Sequence, residues 1–273
     1  MEKNTRLNPR SSHITFFTGL DKDVKLIDET SRRKKAEKIL AVLADYTGRN
    51  NLAMDRMSCL DLGCSSGLIT KHLGGSFRSV TGVDPDAIAV GLARKSPDQA
   101  VHYAIADGAR TPFPPSQFDV IICNQIYEHV PDAEELFREI FRLLKVGGIC
   151  YLSAGNKYMV MEPHYKLPFL SWLPPFLADW YLQKARGVDR YAEKHYSLRQ
   201  IRKSLTALFR IVDYTVTVLK NPGQYHLDDM IGKGSIVNHI PAMALRLALP
   251  LIPNYIFILV KEKPEPSLND PKL

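Results

Sequence analysis

Residues 58–67, SCLDLGCSSG, place an acid, Asp61, at the end of an apolar run and follow it with a tight turn of small residues, Gly63 to Gly67. In α/β proteins a strand, a glycine turn and a helix start, in that order, cradle a nucleoside cofactor. The backbone there has to pass close to the ligand, which excludes large side chains. The same residues spell G-x-S-x-G, the elbow that presents a nucleophilic serine in α/β hydrolases, with Ser65 as the nucleophile. Polar residues recur at three further strand ends: Asp84 with Pro85, Asp107 with Gly108, and Asn124-Gln125. Ligands of doubly wound sheets sit beyond the carboxyl ends of the strands. Asp84 offers a pair of acceptors suited to two ribose hydroxyls, and Asp107 can accept from an adenine amine while backbone near Gly108 reads the ring edge. The hydrolase reading leaves this series unexplained and lacks an H-G-G-G-like loop before the elbow. A nicotinamide enzyme would share Asp84 and the turn. However, the full G-x-G-x-x-G is missing, and no tyrosine has lysine four residues on, as a short-chain dehydrogenase would want.

These residues need a frame of alternating strands and helices. Helical spacing covers 28–46, through Ala36, Ile39, Leu40 and Leu43. Strands are expected at 57–62, 79–83, 101–106, 118–124 and 149–153, with helices at 66–73, 87–95 and 132–145. The 132–145 helix keeps Leu136, Phe137, Ile140 and Leu144 on one face, allows a Glu134–Arg138 pair on the other, and stops at Gly147-Gly148. Alternation of this kind predicts a parallel sheet with helices on both faces. Beyond Gly155 the chain turns rich in aromatics and proline over 156–196. Ser197 and Gln200 then form a capping box, 209–218 reads as a long strand and 255–261 as the last one. The expected organisation is an N-terminal segment and helix (1–57), a cofactor-binding core (58–155) and an aromatic lid insertion (156–196). The rest of the same domain follows (197–263), with a second insertion at 219–254 and a flexible tail at 264–273.

A chain of 273 residues with 45% hydrophobic and 24% charged residues is ordinary for a folded protein. Cys59, Cys64, Cys123 and Cys150 make no C-x-x-C pair and fall in or beside core strands, which suggests free thiols in a reducing, cytoplasmic setting. The start is polar, without the apolar core of a secretory signal, and the apolar stretch 236–260 is broken by prolines, His239 and Arg246. The formal charge is +7, and Arg32-Arg33-Lys34-Lys35 could face nucleic acid, an anionic membrane surface, an acidic substrate or simply water as the solvated face of a helix.

The segments LDLGCSSG, VTGVDPD, ADGARTPFPPSQFDVIICNQIYEHVPD and LLKVGGICYLS resemble class I S-adenosylmethionine-dependent methyltransferases, in the group that includes small-molecule and quinone methyltransferases. The resemblance covers about residues 58–154, and Ser65 stands where the family usually has glycine. It implies a Rossmann-like, doubly wound seven-stranded sheet of order 3-2-1-4-5-7-6 with the last strand antiparallel. It also implies S-adenosylmethionine as cofactor, S-adenosylhomocysteine as product, and a cofactor site lined by Asp61, Gly63, Cys64, Ser65, Gly67, Asp84, Pro85, Asp107, Gly108, Asn124 and Gln125. Enzymes that methylate base amines have an N-P-P-Y-type turn after the fourth strand. Asn124-Gln125-Ile126-Tyr127 lacks both prolines, which argues against a nucleic-acid partner.

The expected acceptor is a small or lipid-like molecule methylated at oxygen. The alternatives are carbon methylation of a quinone or polyketide-like ring, and a non-catalytic cofactor-binding subunit. His164, beside Glu162, is the first choice of general base and His129 the second. Tyr127, Glu162, Tyr165, Phe169 and Trp172 are expected to line the acceptor pocket, and the aromatic insertion allows peripheral membrane contact. The sequence shows no metal-ligand spacing.

Overall fold

The computed structural model describes residues 22–95, 98–228, 231–232 and 235–262. The tail expected at 264–273 lies outside them, as do residues 1–21 of the expected N-terminal segment. The elements run α1 (Lys22–Arg49), β1 (Ser58–Leu62), α2 (Leu68–Leu73), β2 (Ser79–Asp84), α3 (Ala87–Ala93), β3 (Val101–Ile105), β4 (Phe118–Asn124), α4 (Ala133–Leu143) and β5 (Leu144–Gly155). A short hairpin, β6 (Met161–Glu162) and β7 (Leu167–Pro168), and helix α5 (Pro175–Arg186) make up the lid. Then come α6 (Leu198–Thr206), β8 (Arg210–Asp213), α7 (Thr215–Lys220), α8 (Ala242–Leu247) and β9 (Asn254–Val260).

Seven strands form one sheet in the order β3-β2-β1-β4-β5-β9-β8, and only β9 runs against its neighbours. This is the expected order, with β8 and β9 as the sixth and seventh strands. Strands alternate their side chains between two covered faces. Cys59, Val120, Ile122, Tyr151 and Ile258 meet Ile39, Val42, Leu43 and Tyr46 of α1 on one face. Leu60, Leu62, Ile121, Cys123 and Leu152 meet Leu136, Phe137 and Ile140 of α4, with Ile201 and Leu205 of α6, on the other. Each of these fully buried aliphatic or aromatic side chains stabilises the fold by about 1.5–3 kcal/mol relative to exposure.

Two elements differ from expectation. The helix expected to reach residue 145 ends at Leu143, and β5 begins at Leu144 instead of 149. Leu144 is extended and pairs with Phe118, Lys145 reaches both carboxylate oxygens of Asp119 at 2.8 Å, and the buried Lys261 ammonium donates to the carbonyls of Phe141 (2.7 Å) and Leu144 (2.8 Å). Long-range partners therefore satisfy the helix end that glycine was expected to stop. Glu134 bonds the Ser204 hydroxyl, and Arg138 leans to Asp132 at 3.9 Å, so the expected i,i+4 pair is not made. The long strand expected at 209–218 is short, because Asp213 accepts from the Thr215 N–H at 2.9 Å and starts α7. The β-branched run TVTV favours a strand by local propensity, but it forms helix α7 instead, with Thr215, Val216 and Val218 buried. The Ser197–Gln200 capping box is present.

Among the described residues, no helix is long and apolar enough to cross a membrane.

Candidate functional site

The turn between β1 and α2 is left-handed at three positions: Gly63 (φ 69°), Ser65 (φ 50°) and Gly67 (φ 77°). The N–H groups of Gly63 and Cys64 both donate to the Val83 carbonyl, at 2.8 and 2.9 Å, which ties the turn to the end of β2. A Cβ at Gly63 would lie 2.2 Å from the Ile126 side chain, and one at Gly67 would lie 2.8 Å from the Ala93 methyl. Both positions therefore need glycine for space as well as for φ. Ser65 tolerates the conformation because its N–H donates to Asp84 Oδ2 at 2.8 Å. The Cys64 side chain is buried against Gly82 and faces the protein interior.

The acids at the strand ends divide into a buried one and more open ones. Asp61 is buried, accepts from the Thr70 hydroxyl at 2.6 Å, and is pushed up to about 7 by burial. It therefore braces the turn from behind. Asp84 is half-buried and holds Ser65 N–H with one oxygen and Asp86 N–H, at 2.9 Å, with the other. Each oxygen keeps lone-pair capacity for a further donor, which a pair of ribose hydroxyls could use. Pro85 is exposed beside it. Asp107 is exposed, with Oδ1 accepting from Ala109 N–H at 2.9 Å across Gly108. Gln125 (φ 59°) spans three strands: its side-chain amide donates to Ser153 Oγ at 3.2 Å and Asn254 Oδ1 at 2.5 Å. Asn124 and Gln125 also line a cavity of about 670 Å³ that opens where β4 and β5 end. Its other walls are Lys34, Lys35 and Lys38 of α1, Met159, Met161 and Pro163 of the lid, and His195.

Comparison with known proteins decides what this edge belongs to. Residues 60–152 match the methyltransferase domain family. The chain carries a class I methyltransferase domain. S-adenosylmethionine is the cofactor of that class, and the spare acceptors of Asp84 together with the left-handed glycine turn fit it. Among curated relatives, the chain is 34% identical over 113 residues to the ubiquinone biosynthesis O-methyltransferase of Pseudomonas fluorescens, covering 40% of this chain and 48% of that one. To the protein of the same name from Pseudomonas aeruginosa it is 35% identical over 102 residues, or 36% and 44% of the two chains. The chain thus spans about half the length of the curated relatives it matches. Two solved structures share the fold. One is a SAM-dependent methyltransferase from Methanosarcina mazei (TM-score 0.51, 18% identity, covering 78% of this chain and 97% of that one). The other is the YcgJ protein from Bacillus subtilis (TM-score 0.50, 16% identity, covering 84% and 99%).

Beside the methyltransferase domain the lid gathers a second set of polar groups. His164 Nδ1 lies 2.7 Å from the buried Glu162 carboxylate, which also accepts from Tyr165 N–H at 2.8 Å. Burial alone would raise Glu162, but these hydrogen bonds bring it below the usual carboxylate range, and Glu162 in turn raises His164. The His129 and His164 rings meet edge to face at 5.0 Å. Glu128 is 1% exposed, and burial pushes it up to about 7. Neither histidine expected as a base lines the cavity; His195 and His226 do, and both ring nitrogens of His195 are buried without a hydrogen-bond partner, Nε2 lying 4.0 Å from Glu162. Of the expected pocket residues, Tyr127 is a core side chain whose hydroxyl donates to the Gly155 carbonyl and accepts from Tyr196 N–H. Phe169 and Trp172 pack on each other at 5.3 Å and stay partly exposed, with Trp172 Nε1 bonded to the Met159 carbonyl. Glu162 and Tyr165 belong to the lid cluster. His195, Lys38, Glu128 and Glu193 were missed from sequence. Only the pairs Glu128-His129 and Glu193-x-His195 offered a local hint.

Proposed function

We propose that this chain transfers the methyl group of S-adenosylmethionine to an oxygen of a small, amphiphilic or lipid-like acceptor held in the 670 Å³ cavity. The observation carrying this reading is the cavity's position. It shares Asn124 and Gln125 with the strand ends of the methyltransferase domain, so an acceptor there would sit next to the cofactor edge. The cofactor supplies an electrophilic methyl on a sulfonium. The protein's part is to align the acceptor in line with it and to keep water out. Asp84 would hold the ribose hydroxyls, the 63–67 backbone the amino-acid end, and Asp107 the adenine amine. Asp61 would keep the turn in shape from behind.

The cavity's two kinds of wall support an acceptor with a polar or anionic head and an apolar body: lysines on α1, and Met159, Met161 and Pro163 on the lid. Lys38, lowered to about 8 by burial, stands to gain most from an anionic group beside it. Of the two imidazoles that line the cavity, His195 and the exposed His226, His195 is the buried one and is the imidazole that would accept the acceptor hydroxyl's hydrogen bond. Exposed Phe176 and Trp180 on α5, and Met243 and Leu247 on α8, favour a lipid-like body. Oxygen as the target follows the ubiquinone O-methyltransferase relatives.

Titration calorimetry with S-adenosylmethionine, wild type against Asp84→Ala, tests the cofactor half. The variant should lose about 3 kcal/mol, near a hundred-fold, for the hydrogen bonds a charged group makes to two hydroxyls. Absence of binding by the wild type would sink the proposal. Turnover on a panel of phenolic and prenylated acceptors, with the product's methyl located by NMR, tests the other half. Methyl on carbon would overturn the assignment to oxygen. Lys38→Met should raise KM for an anionic acceptor and leave cofactor affinity alone.

A further inference from the structure

We infer that His129, His164 and Glu193 form a binding site for one zinc-class divalent cation, clamping the lid onto the turn that follows β4. The ligand atoms these three residues offer all lie within 4.8 Å of one another, and they come from separate segments. His129 follows β4, His164 sits in the turn between β6 and β7, and Glu193 lies between α5 and α6. Four-coordinate zinc holds its ligands about 3.3 Å apart at bond lengths of ~2.0–2.1 Å, so small side-chain rotations would close the set. Two imidazoles with one carboxylate suit zinc, cobalt or iron; magnesium and calcium prefer oxygen throughout.

Two features beyond the cluster itself point to a cation. The first is the second shell. His164 Nδ1 is committed to the buried Glu162 carboxylate at 2.7 Å, which leaves Nε2 as the ring's free lone pair. Metal-bound histidines characteristically donate their other N–H to a carboxylate, which fixes the tautomer and makes the ligating nitrogen more basic. The second is Glu128. It is the chain neighbour of His129, it is 1% exposed, and neither of its carboxylate oxygens has a hydrogen-bond partner in the protein. Glu193 keeps one buried oxygen without a hydrogen-bond partner. A buried carboxylate without partners is costly, and a divalent cation close to it lowers that cost. Three protein ligands leave at least one coordination position open. The site adjoins the cavity, because Pro163, next to His164, and His195, two residues from Glu193, line it. The inference concerns metal binding and lid order, and stands whatever the acceptor is.

The test uses the full chain, stripped with a chelator and titrated with Co²⁺ and then Zn²⁺ while visible absorption and thermal unfolding are followed. One Co²⁺ per chain is expected, with ligand-field bands of nitrogen and oxygen coordination, no thiolate charge-transfer band, displacement by Zn²⁺, and a raised Tm. Glu193→Gln and His164→Ala should each weaken Co²⁺ roughly ten-fold or more, and Glu162→Gln roughly 10- to 100-fold through the second shell. His226→Ala, outside the cluster, should bind as the wild type does. Calorimetry with S-adenosylmethionine checks that each variant is folded. Glu193→Gln, nearly isosteric, keeps the test decisive if His164→Ala does not fold. No stoichiometric Co²⁺ uptake by the wild type would overturn the inference, as would a folded Glu193→Gln that binds like the wild type.

Discussion

The strand-end edge of residues 58–125 and the segment 156–196 both gather polar groups, yet they are organised oppositely. Along the edge each polar residue sits at the end of its own strand, so spacing in sequence becomes position in space through one regular sheet. In the lid cluster His129, His164 and Glu193 come from three irregular segments and meet only once the lid has packed. Energetics differ too. The sheet is covered by two large apolar clusters, whereas the lid's own core is Leu167, Leu170, Ala178 and Leu182. A small core of this kind can open separately from the sheet, so the two regions can differ in local stability.

The largest expected effect bears on the buried acid of the edge. Asp61 titrates at about 7 in the fold and near 3.9 when unfolded, so the native state holds its proton more tightly. That contribution is fully present below pH ~4 and is lost as pH rises through 7. Relative to Asp61→Asn, the wild type should lose about 4 kcal/mol between pH 4 and 8. Urea melts at several pH values measure it, and a constant gap between the two proteins would mean Asp61 is not buried as described. The next test contrasts the two cores directly. Leu136→Ala should cost about 2–5 kcal/mol of global stability, because it opens a cavity under the sheet. Leu182→Ala should leave global stability nearly intact and raise hydrogen exchange over 161–186 alone. Equal global losses would mean that lid and sheet unfold as one unit. A smaller effect is expected at α4, where Asp132→Ala removes the acceptor for two helix N–H groups and should cost about 1 kcal/mol.

Legibility followed the same divide. The alternating strands and helices and the glycine turn could be read from sequence because strand period and turn chemistry are local, whereas the sheet order came from the family resemblance. The end of α4 could not, since Lys261, far along the chain, supplies the cap. The start of α7 was hidden by β-branched residues, Thr215 to Val218, whose local preference is for a strand and whose burial in the fold is helical. Phe169 and Trp172 were expected in the pocket by type, but the hairpin turns them partly outward, and Met159, Met161 and Pro163 form that wall instead. His195 gave no pattern of its own, because its task depends on which side of the lid meets the cavity.

The smallest predicted effect concerns the turn itself. Ser65 looked like a small residue admitted where glycine is usual. With φ at 50°, however, the demand at this position is on backbone conformation as well as size. Releasing a serine from the left-handed region is worth about 1 kcal/mol, and glycine loses ~0.4–1 kcal/mol of that by widening the unfolded ensemble. Ser65→Gly should therefore change stability by less than about 0.5 kcal/mol, with the Asp84 carboxylate still accepting from the backbone N–H. Ser65→Val sharpens the comparison, because a β-branched residue is a true outlier at this φ and should cost more than about 1 kcal/mol. If denaturant melts place Ser65→Val level with the wild type, the turn is not left-handed there. The edge would then owe its shape to side-chain size alone, and the Ser65–Asp84 hydrogen bond would no longer explain why serine is tolerated.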